Sequence, residues 1–407
     1  MRKITSFSDF CQRVWRRLKR PFVSLQLKIY KLHEENTLGS EKEISQVTYY
    51  KVGNLGDTVL SQCVRRTLSL LCGFKTYNLI VVNKPVTDET IMKINKTKML
   101  VIGGGGLFLP DTNENSISGW QWAISEENLK KIKVPVILYT VGYNYFRGQS
   151  SNQLFEKNLR LIISKSQFVG LRNTGSCQAV KSILAEGEHD SDSQSFPEIV
   201  YQPCTTTLIR RIYPELPPKK RTGKIGINIA FDREKLRFGD DQELILTQIA
   251  KAMKTLVSRN YKLYYIAHAG IDLRFVPYLK REGVRFKEIN MSSWLPQKAI
   301  RFYNEIDCVF GMRGHAQMIP FGVNCEIISL GSHEKMRWFL DDIDSLDWYV
   351  ELRQSPETLS ERIVDTFTRI HEIEPEKTKE RLLNAQEKLW RISQTNAKRI
   401  NEILYHK

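Results

Sequence analysis

Short runs of hydrophobic residues alternate with amphipathic stretches along most of this chain. Between residues 46 and 205 five such runs recur, and apolar positions at helical spacing fill the intervals between them. Continuous apolar runs are typical of strands that are buried on both faces of a parallel sheet. The pattern therefore predicts an α/β domain over 46–205. The predicted strands are Val47–Tyr50, Leu79–Val82, Met99–Ile102, Val136–Tyr139 and Phe168–Leu171.

A second series of the same kind follows a segment rich in proline and charge. This segment, 206–223, contains Pro214, Pro217 and Pro218, which helices and central strands tolerate poorly, so we predict an interdomain linker. A second Rossmann-like domain is predicted over 224–355. Two such domains facing across a cleft would bring the loops after their strands to one site. The predicted strands are Lys224–Ile229, Leu263–Ile266, Cys308–Phe310 and Glu326–Ser329.

Both ends of the chain extend beyond these two domains. Residues 1–45 are basic and place apolar side chains at three- and four-residue spacing, which predicts an amphipathic helix. This helix is predicted either to pack on the protein or to contact an anionic membrane surface. Residues 356–407 are predicted to be helical with a break near Glu374–Pro375, and the acidic segment 186–195 is predicted to be a mobile loop.

The charge, hydropathy and cysteine content of the chain limit the classes of protein to which it can belong. The 407 residues include 61 Lys and Arg but only 45 Asp and Glu, which gives a formal net charge of +16. This charge indicates an anionic partner: a nucleic acid, a phospholipid surface or a phosphorylated substrate. No apolar run is long enough to cross a bilayer and no export signal is recognisable, so we predict a cytoplasmic protein. The seven scattered cysteines indicate reduced thiols.

Two glycine-rich turns follow predicted strands of the first domain. In a run of four glycines, Gly104 and Gly105 are candidates to bring the backbone close to a ligand, and a plain tight turn is the alternative. The second turn, Gly53–Thr58, precedes a helix whose first N–H groups favour a bound anion. Asn54 and Asp57 are the candidate cleft residues there, and a helix cap is the alternative for Asp57.

The densest group of chemically active residues follows two strands of the second domain. Arg313 and His315 come directly after the strand Cys308–Phe310, and Lys335 follows the next strand. Arginine offers a planar fork to a carboxylate or phosphate, and histidine exchanges a proton near neutral pH. Arg172, at the end of a strand in the first domain, is predicted to face the same cleft, with a surface salt bridge as the alternative.

His268 and Asp272 follow a further predicted strand of the second domain. Their position predicts contact with an acceptor substrate, and capping of the next helix is the alternative. No tight cluster of carboxylates or of Cys and His pairs appears at metal-ligand spacing, so no metal site is predicted.

Taken in order, these motifs resemble the polysaccharide pyruvyl transferase family. The resemblance implies a GT-B-like fold, in which two Rossmann-like domains with parallel sheets face each other across a cleft. It also implies a transferase that moves the pyruvyl group of phosphoenolpyruvate onto two hydroxyls of a sugar as a ketal and releases phosphate. The resemblance covers about residues 46–340 and rests on Gly53–Asp57, Gly103–Gly106, Gly170–Asn173, Met312–His315 and Lys335.

Roles for individual residues follow from this resemblance. Arg172, Arg313 and Lys335 are expected to bind phosphoenolpyruvate, and His315 is expected to act as the general acid or to shuttle the proton. Phosphoenolpyruvate is the donor substrate, and no cofactor is implied. The expected acceptor is a sugar, in the form of a lipid-linked oligosaccharide at the inner membrane face, in the synthesis of a capsule or another exopolysaccharide.

Two other functions remain as alternatives. A GT-B glycosyltransferase that uses a nucleotide-sugar would have the same two-lobed architecture and glycine turns. A non-catalytic protein that binds nucleic acid would explain the charge of +16, but the chain has no recognisable DNA- or RNA-binding module. The resemblance favours the pyruvyl transferase.

Overall fold

The structure, a computed structural model, describes residues 42–51, 53–109, 115–146, 149–186, 196–331 and 333–405. The predicted N-terminal basic helix and nearly all of the predicted loop 186–195 lie outside these residues. Within the described ranges, no helix combines the length and the apolar character that a membrane span requires.

The first sheet is built from short apolar strands joined by helices. Its elements are β1 (Ile44–Thr48), α1 (Leu55–Cys72), β2 (Tyr77–Val81), α2 (Asp88–Asn95), β3 (Met99–Ile102), β4 (Gly105–Phe108), α3 (Glu126–Lys130), β5 (Val136–Tyr143), α4 (Gln153–Lys165), β6 (Phe168–Leu171), α5 (Thr174–Ala185) and β7 (Ile199–Tyr201). All pairs are parallel in the order β2-β1-β3-β5-β6-β7, and β4 pairs with the end of β5. Val47 lies opposite Ile80 and Ile102 and is fully buried, as a continuous apolar run predicts.

The connection between the two sheets begins with helix. A 3₁₀ turn, Thr205–Leu208, leads directly into α6 (Ile209–Ile212). Prolines resume only at Pro214, and the apolar side chains of these two turns are buried. The first part of the predicted linker 206–223 is therefore packed helix, and the boundaries predicted for the five segments of the chain stay predictions.

The second sheet repeats the same construction. Its elements are β8 (Lys224–Asn228), α7 (Glu234–Phe238), α8 (Gln242–Ser258), β9 (Lys262–Ala267), α9 (Val276–Arg281), β10 (Phe286–Asn290), α10 (Pro296–Asn304), β11 (Cys308–Gly311), α11 (His315–Gly322), β12 (Glu326–Gly331), α12 (Glu334–Asp342) and β13 (Tyr349–Glu351). All strand pairs in this described part are parallel, in the order β10-β9-β8-β11-β12-β13. The predicted α/β class with two parallel sheets is confirmed.

Four strands, β4, β7, β10 and β13, are absent from the sequence prediction. β4 contains two glycines of the run that was expected to be a turn, and it becomes a strand because the end of β5 pairs with it. The other three are edge strands of three to five residues. Such short segments offer too few positions for a hydrophobic pattern to stand out from the loops.

The C-terminal helices connect the two sheets. They are α13 (Leu359–Phe367), a π-helical segment Thr368–Ile373, and α14 (Pro375–Tyr405), which begins at the predicted break. On α14, Asn396 donates a hydrogen bond of 2.9 Å to the carbonyl of Tyr201 in β7. Gln386 on the same helix donates one of 2.5 Å to the carbonyl of Phe321 in α11. α14 therefore bridges the two domains.

Helix α1 belongs to the first sheet but is buried against the second domain. Its side chains Leu55, Val59 and Cys63 are at most 1% exposed and share one apolar cluster with the second domain. Burial of each large aliphatic side chain contributes roughly 1.5–3 kcal/mol, so this cluster holds the start of α1 in place. The cluster partners from the second domain include Ile266, Met291, Ile300 and Ile319.

A polar contact and a close approach join α5 to α12. The Asp342 carboxylate accepts a hydrogen bond of 3.2 Å from the Thr174 N–H and one of 2.5 Å from its hydroxyl. One residue on, a Cβ built on Gly175 would lie 2.2 Å from the indole of Trp338, so only glycine allows this approach. Arg172 lies just before α5 and Lys335 lies in the first turn of α12, so this contact fixes the segment of one cation relative to that of the other.

Replacing Asp342 by Asn should stabilise the protein at neutral pH. Burial raises the pKa of Asp342 to about 6, so the folded state binds this proton more tightly than the unfolded chain. The stability that the group contributes is therefore present at low pH and is lost as the pH rises from about 4 to about 6. Asn accepts the same hydrogen bonds without a charge, and we expect Asp342→Asn to raise the free energy of unfolding at pH 7.5 by roughly 1–3 kcal/mol.

Urea denaturation at pH 4.5 and pH 7.5 measures this effect. The difference between Asp342→Asn and wild type should be smaller at the lower pH. Asp342→Ala, which leaves the Thr174 donors without their acceptor, should instead destabilise the protein. A variant Asp342→Asn that is less stable than wild type at pH 7.5 would contradict the assignment.

Candidate active site

Each sheet has a point at which the strand order reverses. In the first sheet this point lies between β1 and β3, and in the second, whose order is that of the Rossmann fold, it lies between β8 and β11. Ligands of such sheets bind in the crevice formed by the loops after these strands. The two crevices face each other, since a Cβ built on Gly56 would lie only 2.7 Å from Nδ1 of His315.

The turn before α1 is organised by Asn54. Its side-chain oxygen accepts a hydrogen bond of 3.1 Å from the Gly56 N–H, and its amide donates one of 2.8 Å to Asp57. Asn54 is therefore the cap of α1, and Asp57 lies in the first turn of the helix. The absence of a side chain on Gly56 lets the ring of His315 lie directly against the start of the helix.

Arg313 is held by two carboxylates. Its Nε and Nη2 donate to both oxygens of Asp272 at 2.6–3.1 Å, and its Nη1 lies 2.8 Å from Asp232. Burial opposes the charge of Arg313, but these partners outweigh it and raise its pKa. The guanidinium is thus fixed in position and permanently charged, which suits a recognition group for a small anion.

His268 and Asp272 are buried, and Asp272 caps the next helical turn, which is the alternative that the sequence left open; contact with an acceptor stays a prediction. Both side chains are fully buried at the end of β9. Asp272 accepts from the N–H groups of His268 and Ala269 and holds Arg313, and His268 Nε2 lies 2.5 Å from the Tyr303 hydroxyl. Burial lowers the pKa of His268 to about 3, so its imidazole is neutral. These residues therefore lie below the crevice, where Asp272 fixes the position of Arg313.

Arg172 and Lys335, unlike Arg313, have no carboxylate partner among the described residues. Arg172 is only 6% exposed at the end of β6, and its Nε has no hydrogen-bond partner. Within the described part of the chain, neither the Arg172 guanidinium nor the Lys335 ammonium makes a hydrogen bond or an ion pair. Burial lowers the pKa of Lys335 well below its usual range and the charge of Arg172 lowers it further, so the two cations repel each other across the crevice.

His315 lies between the two domains at the start of α11. Its Nε2 is 3.8 Å from the Cys204 thiol, and its other face lies against Gly56. Burial lowers the pKa of His315 well below its usual range, and the charges of Arg172 and Lys335 act in the same direction. The imidazole is therefore neutral in the free protein and is poised to take up a proton when an anion arrives.

A further group of charges in the loop after β8 was not predicted. Asp232 bonds Arg237 at 2.8 Å and Arg233 at 3.1 Å in addition to Arg313. Burial alone would raise the pKa of Asp232, but the charges of Arg237 and Arg313 outweigh it and hold the pKa well below its usual range. The sequence signal was available, because these residues follow the predicted strand Lys224–Ile229, as Arg313 follows its own.

An aromatic side chain from the first domain completes this group. The ring of Phe146 stacks on His333 with 4.4 Å between centroids, and the guanidinium of Arg233 lies 5.0 Å from its centre. Around the crevice, the described residues place five cations and three carboxylates, so positive charge is in excess. The cations are Arg172, Arg233, Arg237, Arg313 and Lys335, and the carboxylates are Asp57, Asp232 and Asp272.

The backbone at Gly104 and Gly105 is buried, and the close approach of a ligand predicted for this turn stays a prediction. Both are buried, and a Cβ on Gly104 would lie 2.7 Å from the methyl group of Thr140. The preceding N–H, that of Gly103, already donates to the carbonyl of Val47 at 3.0 Å. Gly104 is required because Leu60 of α1 and Thr140 of β5 approach its backbone too closely for a side chain, whereas Gly105 is favoured by its φ of +125°.

The fold and the site define a class of protein: a GT-B-like pair of Rossmann-like domains with a cationic crevice between them. The polysaccharide pyruvyl transferase family matches residues 54–334. This match spans more than half of the 407 residues, and the chain belongs to that family.

One solved structure with a TM-score above 0.5 agrees on the fold, and a second has a lower score. The UDP complex of MnaA from S. aureus is 14% identical with a TM-score of 0.52, and the alignment covers 90% of this chain and 96% of that one. UDP-GlcNAc 2-epimerase from Neisseria meningitidis bound to UDP-GlcNAc is 12% identical with a TM-score of 0.47, over 86% of this chain and 98% of that one. Curated protein sequences give no significant match.

Replacing Asp272 by Ala should be strongly destabilising. It would leave the buried charge of Arg313 without its bidentate partner, and breaking a buried pair in this way costs about 3–5 kcal/mol. Asp88→Ala is the control, because Asp88 is 77% exposed and pairs with Lys131 on the surface, whereas Asp272 is fully buried. Urea denaturation should show a clearly larger loss for Asp272→Ala, and equal losses would contradict the anchoring role.

Proposed function

We propose that this protein transfers the pyruvyl group of phosphoenolpyruvate onto two hydroxyls of a sugar, forming a ketal and releasing phosphate, in polysaccharide biosynthesis. The observation that carries the proposal is the pair of cations without ion-pair partners in the described part of the chain, the buried Arg172 and the partly buried Lys335. Burying a charge without a partner costs several kcal/mol, and a ligand with matching negative charge removes that cost. Membership of the pyruvyl transferase family supports the same donor class.

Phosphoenolpyruvate fits the crevice by charge and by size. It carries a carboxylate and a phosphate on a three-carbon frame, so its recognition requires several cations in fixed positions. Arg313 supplies a guanidinium that two carboxylates already orient. Arg172 and Lys335 approach from the two domains and have donors to spare for both anionic groups.

His315 is proposed to deliver the proton that the donor requires. Transfer forms a C–H bond at the methylene carbon and a C–O bond from one sugar hydroxyl to the adjacent carbon. The C–O bond to phosphate then breaks, and the second sugar hydroxyl forms the second C–O bond of the ketal. Bound phosphoenolpyruvate would raise the pKa of the neutral His315 imidazole by adding negative charge beside it. The charged imidazole can then act as the general acid, a role typically worth ~10²–10⁴ in rate.

The direct test is incubation of the protein with phosphoenolpyruvate and a panel of p-nitrophenyl hexosides. Release of inorganic phosphate together with a product carrying a pyruvate ketal, detected by mass spectrometry, is the expected result. A nucleotide-sugar transferase is the competing function, since the UDP complex of MnaA has the same fold. Release of UDP from UDP-sugars, without phosphate release from phosphoenolpyruvate, would overturn the proposal.

We also propose that the acceptor is lipid-linked and that the protein contacts an anionic membrane. The basic N-terminal segment is the feature that supports both proposals. This segment lies outside the described residues. Loss of sedimentation with anionic liposomes on deletion of residues 1–32 is the expected result.

Lys335→Met should change the stability of the protein and its affinity for the donor in opposite directions. Removing a partly buried ammonium that has no ion-pair partner among the described residues should raise the free energy of unfolding of the free protein by roughly 1–3 kcal/mol. The same change should weaken phosphoenolpyruvate binding by about 100-fold, measured by calorimetry, because one charge contact to the donor is lost. Lys377→Met is the matched control: this lysine is 64% exposed on α14, and its loss should change neither quantity. Unchanged donor affinity in Lys335→Met would contradict the site.

Binding of phosphoenolpyruvate at pH 7.5 should take up protons. The pKa of His315 is held low in the free protein by burial and by the charges of Arg172 and Lys335, and an anion beside it should raise that pKa. Calorimetric titrations in two buffers of different ionisation enthalpy measure the number of protons bound. Net proton release would contradict this electrostatic description.

A further inference from the structure

We infer that Asp57 is the base that removes the proton from the attacking hydroxyl of the acceptor sugar. This inference rests on the proposed function and adds a second acid–base group to the same site. Asp57 is supplied by the first domain, whereas His315 is supplied by the second, so the two groups approach the substrates from opposite walls of the crevice.

The carboxylate of Asp57 is fixed by a hydrogen bond to one of its oxygens, and its other oxygen accepts none from the described residues. One oxygen, Oδ2, accepts a hydrogen bond of 2.8 Å from the Asn54 amide, which fixes the side chain on the first turn of α1. Among the described residues no hydrogen bond reaches Oδ1, and no lysine or arginine lies within ion-pair distance of the carboxylate. This differs from Asp232 and Asp272, which both form ion pairs with Arg313. Of the three carboxylates, that of Asp57 is therefore the one that can accept from a substrate without competing with an ion pair.

The surroundings of Asp57 suit a base. Charged groups face it from three elements: Arg313 after β11, Arg172 after β6 and Lys335 on α12. The neutral imidazole of His315 lies against Gly56, the residue next to Asp57. Burial raises the pKa of Asp57 to about 6 and these cations counteract it. The carboxylate is thus ionised at neutral pH yet binds a proton more tightly than an exposed aspartate.

The proton balance of the reaction requires such a group. The two acceptor hydroxyls lose two protons in all, the methylene carbon gains one, and the departing phosphate carries away the other. If His315 gives its proton to the carbon, the first hydroxyl needs a separate acceptor as its oxygen forms the new C–O bond. Asp57 takes this proton, which has to return to the imidazole of His315 before the next turnover.

A purely structural role is the alternative. A carboxylate in the first turn of a helix interacts favourably with the helix dipole whether or not a reaction takes place. Asp88 provides the matched control, because it also lies in the first turn of a helix, α2, but on an exposed surface paired with Lys131. If Asp57 has only a structural role, Asp57→Asn and Asp88→Asn should have similar effects on kcat. If Asp57 is catalytic, Asp57→Asn alone should lower kcat strongly.

The test compares Asp57→Asn, Asp57→Glu and Asp88→Asn with wild type, using a p-nitrophenyl hexoside that the wild-type protein modifies. We expect Asp57→Asn to lower kcat by ~10²–10⁴ while phosphoenolpyruvate binds equally or more tightly, because a negative charge near the anionic donor is removed. The fall in kcat/KM below about pH 6, where Asp57 becomes protonated, should disappear in the same variant. Asp57→Glu should recover part of the rate, and Asp88→Asn should retain all of it.

Failure of this inference is distinguishable from failure of the proposed function. An active wild-type protein whose Asp57→Asn variant keeps kcat within about threefold, or keeps the fall below pH 6, overturns the role of Asp57 alone. A wild-type protein that neither binds phosphoenolpyruvate in calorimetry nor releases phosphate from it overturns both.

Discussion

Two positive charges that have no ion-pair partner among the described residues, on the buried Arg172 and the partly buried Lys335, impose the main constraint on this structure. Like charges that repel each other in a crevice drive their supporting segments apart, and each loses the solvation it would have in water. The rest of the fold has to hold the two segments together against this repulsion. The apolar burial of α1, the bridging helix α14 and the contact between α5 and α12 all act in that direction.

Arg313 differs from Arg172 and Lys335 because carboxylates of the protein itself compensate its charge. Its charge is compensated in the free protein by Asp232 and Asp272, so it needs no ligand to be stable where it is. The crevice therefore combines one cation whose position is fixed by the protein with two whose charge only a ligand can neutralise. The first orients an anion, and the other two supply most of the gain in binding it, since their burial is costly only while the crevice is empty.

The sequence predicted what depends on local pattern and missed what depends on pairing between distant segments. Continuous apolar runs identified the central strands, and the residues directly after them identified Arg172, Arg313, His315 and Lys335. Asp272 lies 41 residues from Arg313 in the chain, so its role as the partner of Arg313 appears only in three dimensions. The residues that form β4 were misassigned for the same reason, because two glycines become a strand only when β5 pairs with them.

The close approach of the two domains argues for a small donor. Gly56 lies against the ring of His315, and Gly175 lies against Trp338, at separations that leave no room for even a methyl group. Any side chain at these positions would separate the domains and move Arg172 away from Lys335. A nucleotide-sugar requires a cleft that accommodates a base, a ribose and a diphosphate, and it would gain nothing from such closure. A three-carbon acid with two anionic groups needs cations from both domains within its own short length, and the glycine contacts make that convergence possible.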